Sequence, residues 1–153
     1  MNIKFSLAMF LLLVSPAFSQ TAAEMDAMLG ADTVSAATAA RFVLGAAELL
    51  PSGLSGQAAE RAAYEAASSN GWIKVAADDA VTLKDTAFLV MRAFDLSGGA
   101  MYSLFRNPRY AYREMVYKKL IAGRADQDMK VSGARLLLIL DKTAGYIGDG
   151  GAK

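Results

Sequence analysis

Six cationic side chains, Arg106, Arg109, Arg113, Lys118, Lys119 and Arg124, are interleaved with Tyr110, Tyr112 and Tyr117, and Tyr102 stands just before them. At helical spacings of three and four, Tyr110, Arg113 and Tyr117 fall on one stripe. Aromatic faces beside guanidinium groups suit a sugar ring, an anionic polymer or the centre of a protein interface. Arg109, Tyr110, Arg113, Tyr117, Lys118 and Arg124 are therefore the candidate ligand- or partner-binding residues. A plainer arrangement uses the same residues: the tyrosines fill grooves between helices, hydroxyls in water, and the arginines pair with acidic groups elsewhere.

The residue types that are missing narrow the chemistry further. The chain has no cysteine and no histidine. Thiol nucleophiles, imidazole bases, disulfides and the usual zinc or copper ligand sets are excluded. Asp and Glu remain as possible paired acids, but none sits in a recognisable catalytic motif, and no enzyme is expected. Asp78, Asp79 and Asp85 match no calcium-binding loop, so neither metal nor cofactor is expected. Lone Trp72, after Gly71, reads as the cover of a core edge rather than a ligand platform.

The start of the chain has the layout of a secretory signal peptide. Lys4 is followed by the apolar run 5–14 and by Ala17-Phe18-Ser19, small residues where a signal peptidase cuts. The expectation is a leader over 1–19, a mature start near Gln20, and export to a periplasm or cell envelope. No later run is long and apolar enough to span a bilayer. Without Lys4 the chain carries 15 basic and 15 acidic residues, a balance that argues against nucleic acid as a partner. The charge is nevertheless divided: residues 20–99 hold 5 basic and 10 acidic side chains, and residues 100–153 hold 10 and 5.

The elements that must position these residues recur. Stretches 34–44, 81–91 and 131–141 align without a gap, their starts 47 and 50 residues apart. Each opens with a valine (Val34, Val81, Val131), then a hydroxyl residue (Ser35, Thr82, Ser132), then an apolar helical run; Asp32, Asp79 and Asp128 lie just upstream. Ser35, Thr82 and Ser132 read as N-caps, and the free N–H groups of the helix starts suit either ordinary capping or an anion. The first of these helices is expected to stop at Pro51 and the second at Gly98-Gly99. Shorter helices are expected from the Thr21–Glu24 capping box, over 58–69, and from Asn107-Pro108 to Gly123. No alternating run reads as a strand, and Trp72-Ile73-Lys74-Val75 reads as an apolar loop over the core. The expected fold is all-α: three helix–loop–helix units over about 21–54, 55–99 and 100–147, none able to bury its apolar face alone, and a disordered tail over 148–153.

This pattern resembles S-layer homology repeats. The segment 112–123 is similar to the family's first helix and its glycine, 124–130 to the connecting loop, and Val131-Ser132 to the start of its second helix; 80–94 is a further match. The resemblance implies three repeats packed around a pseudo-threefold axis and binding of cell-wall polymers, often acidic sugars on peptidoglycan. It also implies an arginine after the hydroxyl residue, but Ala36, Leu83 and Gly133 stand there, Lys84 comes one place late, and Arg135 falls where the family tends to have glutamate. The expected function is a non-catalytic envelope protein attached to wall polymer or peptidoglycan. The alternative is a periplasmic protein–protein adaptor or assembly factor that keeps the scaffold without the polymer site.

Overall fold

Three backbone segments that precede helices meet at the centre of the molecule, and each begins with a valine. The computed structural model describes residues 17–122 and 125–151. The apolar run of the expected leader, Arg124 and the last two residues lie outside them. The described residues form helices α1 (Ala17–Leu29), α2 (Ala36–Ala46), α3 (Gly56–Ser69), α4 (Leu83–Ala93), α5 (Ala100–Phe105), α6 (Pro108–Tyr117) and α7 (Gly133–Gly148), with no strand among them. The class is all-α.

The helix starts follow from their caps. Oxygens of Ser35, Thr82 and Ser132 accept from the amides of Thr38, Asp85 and Arg135 at 3.2, 3.3 and 3.3 Å. Asp85 returns the bond to the Thr82 amide, completing a capping box. Asn107 caps α6 through the Tyr110 amide, and Pro108 follows at its first position.

The helix ends fall earlier than expected. α2, α4 and α6 stop at Ala46, Ala93 and Tyr117 rather than at Pro51, Gly98-Gly99 and Gly123. In each case a non-glycine residue takes the left-handed conformation: Glu48 (φ 57), Asp95 (φ 48) and Lys119 (φ 60). The amides of Leu49, Leu96 and Leu120 then bond back to the carbonyls of Leu44, Met91 and Met115, each at 2.9 Å. This is the Schellman closure, here without its usual glycine. Leu96 and Leu120 bury their side chains as they turn, which compensates for the strained residue before each.

Other boundaries also differ. α7 continues past Tyr146 to Gly148, and the amide of Gly151 bonds to the Tyr146 carbonyl at 2.9 Å, so 148–151 are hydrogen-bonded where a disordered tail was expected. α1 already includes Thr21, because 17–20 extend it, and Glu24 pairs with Arg41 of α2 instead of closing a capping box. The short α5 has too few residues to show a periodicity in the sequence.

Packing joins α2 to α3, α4 to α6 and α7 to α1. At the centre, the Val34 amide donates to the Val131 carbonyl at 2.9 Å, Val131 to Val81 at 3.1 Å, and Val81 to Val34 at 2.9 Å. All three valines are buried. The first amide of each capped helix is also satisfied by a neighbouring loop: Ala36 donates to the Asp79 carbonyl, Leu83 to Met129 and Gly133 to Ala31, at 2.8 to 3.0 Å. Small side chains make this approach possible. Ala36, Ala39, Ala40, Ala63 and Ala67 are fully buried, and a Cβ on Gly133 would overlap the Met28 carbonyl. Ile73 is buried in the 72–75 loop, and Trp72 packs against the core edge beneath Arg92.

Candidate binding groove

α5 and α6 form a hairpin on the basic side of the sequence. Arg106 makes the turn in the left-handed region (φ 39), after which Asn107 and Pro108 start α6 at once. The face of α6 carrying Ala111 and Met115 is fully buried, which rotates Tyr110, Arg113, Glu114 and Tyr117 towards α5. Gly98 lacks a side chain where a Cβ would collide with Tyr102, so the preceding loop closes onto that ring.

The result is a groove of about 280 Å³ between Gly99-Ala100-Met101 and α6, with Tyr102 at its base. Tyr102 is 5% exposed, whereas Tyr117 is 82% exposed and stands at the rim. Tyr110 is held by Phe105, ring centroids 5.5 Å apart and planes 23° from parallel. Burial pushes the Tyr102 phenol above its ordinary pKa, although the charges of Arg92 and Arg106 pull the other way. The groove therefore offers ring faces, one guanidinium and one carboxylate, a set suited to stacking and hydrogen bonding.

Three of the expected binding residues, Tyr110, Arg113 and Tyr117, line this groove together. Lys118 does not. Its ammonium lies 3.8 Å from Glu114 and 3.0 Å from the Tyr146 hydroxyl, 5.1 Å from that ring's centre, and so ties α6 to α7. Lys118 is the C-cap of α6, one residue past Tyr117 and so about 100° round the helix axis from the stripe. Arg109 is exposed but does not line the groove, and Arg124 is outside the described residues. Glu114 completes the lining and was legible as the residue between Arg113 and Tyr117 on the same stripe.

Ser35, Thr82 and Ser132 serve as caps, and at the starts of α2 and α4 the first three amides are already used. The first three amides of α4, for example, bond to Met129, Gln127 and the Thr82 hydroxyl, leaving no donor for an anion. A further groove of about 390 Å³ runs along α1 and α2, with Ser35, Thr38, the Glu24–Arg41 pair and Glu60 on its walls. Thr38 donates to Glu60 at 3.1 Å, so the polar groups there are largely bonded to one another. The spacing of Ser35, Thr38 and Arg41 marks this wall in the sequence. No group of three or more Asp or Glu suited to a metal ion occurs among the described residues, and none of their helices is long and apolar enough to cross a membrane.

No protein-family model matches the chain, and no characterised protein or solved structure is significantly similar to it.

Proposed function

We propose that the chain is an exported, non-catalytic binding protein of the cell envelope, built on three S-layer-homology-like units, that attaches to cell-wall polymer or peptidoglycan through the α5–α6 groove. The observation that carries this reading is the convergence of Tyr102, Tyr110, Arg113, Glu114 and Tyr117 on one concave surface. Glycan rings stack on tyrosine faces, and their hydroxyls bond to paired donors and acceptors.

The three-unit arrangement draws support from two features. The valines that open the aligned stretches bond to one another in a closed cycle. The long helix of each unit packs on the short helix of the next, with α7 returning to α1. Such closure would leave no unit with an uncovered apolar face.

A second reading, a periplasmic adaptor, is favoured by two specific observations. Ala36, Leu83 and Gly133, at the positions of the family's ligand-reading arginine, are all buried. At the groove wall and beside it, Met101, Leu104 and Phe105 expose 57, 74 and 54% of their surface, an apolar patch of the kind that marks protein interfaces.

Sedimentation with purified peptidoglycan separates the two. The polymer reading requires co-sedimentation that weakens with salt and is lost in Arg113→Ala. A chain that stays in solution and co-purifies instead with a defined envelope protein establishes the adaptor.

A further inference from the structure

On the far side of Tyr102 from the groove lies a second concavity, of about 330 Å³, between the end of α4 and α5. The residues that line it include Arg92 and Arg106, the hydroxyl residues Ser97, Ser103 and Tyr102, and Asp95. The geometry points to an oxyanion-binding site here, one that takes a carboxylate or phosphate group between Arg92 and Arg106.

The site rests on cations left outside ion pairs, although Arg92 also meets the Tyr102 hydroxyl. Neither arginine belongs to any of the three ion pairs among the described residues, which join Arg41 to Glu24, Lys84 to Asp128 and Lys118 to Glu114. Asp95 shares the cavity but lies beyond ion-pair distance of both, so two positive charges face one negative charge. Ser103 donates to the Gly98 carbonyl at 3.1 Å, which leaves Ser97 and Tyr102 as the hydroxyl donors. Arg92 is held in place by Trp72, its guanidinium carbon 5.9 Å from the ring centre. A planar fork fixed on an aromatic face is well arranged to meet two oxygens at once. Both arginines also stand near helix C-terminal ends, where a cation offsets the dipole. Dipole compensation alone gives no saturable site.

The site shares only Tyr102 with the proposed groove and does not depend on the polymer reading.

Trp72 is the sole tryptophan of the chain, so its fluorescence reads Arg92 directly. The full chain is titrated with sodium phosphate, with sodium acetate, and with sodium chloride at matched ionic strength. The site requires a saturable change with phosphate or acetate and none with chloride. Preference for one oxyanion assigns the group as a phosphate or a carboxylate. Arg106→Gln, which leaves the Trp72–Arg92 contact alone, should weaken binding at least tenfold. Asp95→Asn should tighten it at least threefold, and serves as the test if Arg106→Gln loses its helical circular dichroism. A response that follows ionic strength only, a folded Arg106→Gln with unchanged affinity, or an Asp95→Asn that does not tighten binding each overturns the site. A chain that binds phosphate but ignores peptidoglycan supports the pocket while removing the polymer reading.

Discussion

The amide of Val34 donates to the carbonyl of Val131 at 2.9 Å, joining the residue before the α2 cap to the residue before the α7 cap. Val81 closes the cycle between them. Two of its sides are isolated bridges and the third is a single hydrogen bond, and its members are far apart in sequence. No bond of this ring forms locally, so its stability arrives only with the packed helices.

Gly133 is the tightest point of this arrangement, because the first turn of α7 rests on the Met28 carbonyl. Gly133→Ala should cost about 3 kcal/mol, since backbone and not a flexible side chain must move. Gly145, in the same helix, faces open space, and Gly145→Ala should stabilise by about 0.5–1 kcal/mol. Urea unfolding of the two variants checks the pair; a harmless Gly133→Ala would mean that α7 does not seat on α1.

Leu83 is fully buried at the first position of α4. Leu83→Arg places an unpaired guanidinium in the core and should destabilise by about 4 kcal/mol or more, with no gain in polymer binding. Thermal melting and sedimentation read the two halves of this prediction. A stable variant that binds the wall more tightly would contradict it.

Tyr117 projects from α6 into water. Tyr117→Ala should leave stability within about 0.5 kcal/mol of the parent while weakening ligand or partner binding about tenfold. Equal retention on peptidoglycan, or on a captured partner, would remove Tyr117 from the binding surface.

Thr86 is fully buried, and its hydroxyl has no hydrogen-bond partner among the described residues. Thr86→Val keeps the shape and removes the unsatisfied group. It should be neutral or stabilising by about 1 kcal/mol, measured by urea unfolding. A large loss would reveal a polar contact of Thr86 within the core.

Tyr102 gives the protein an alkaline limit. Burial raises its folded pKa above 10.0, so the folded state favours the neutral phenol. The corresponding stability is fully present below the unfolded value near 10 and is lost as pH rises through the folded value. Near-ultraviolet absorbance should show one of the six tyrosines ionising last, together with unfolding, and Tyr102→Phe should remove that late component. Ionisation of all six in the ordinary range would place Tyr102 in water.

The helix starts were readable from the sequence because capping is local. A hydroxyl at Ser35, Thr82 or Ser132 answers an amide three residues on, and spacing alone reveals it. The stripe of Tyr110, Arg113 and Tyr117 was readable for the same reason, since helical periodicity sets which side chains share a face. The helix ends were not. Glu48, Asp95 and Lys119 adopt a left-handed backbone that their side chains do not advertise, and each is held there by the closure that follows it.

What the amino-acid order determined by itself was therefore helix class, caps, the charge division and the aromatic–basic stripe, all consequences of neighbours within one or two turns. Tertiary structure alone decided that Lys118 turns away to Tyr146, that Glu114 and Tyr102 complete the groove, and that Arg92 and Arg106 face one cavity. Those outcomes depend on where the chain reverses at Arg106 and Lys119 and on which helix lies alongside, contacts between residues distant in sequence that no local spacing encodes.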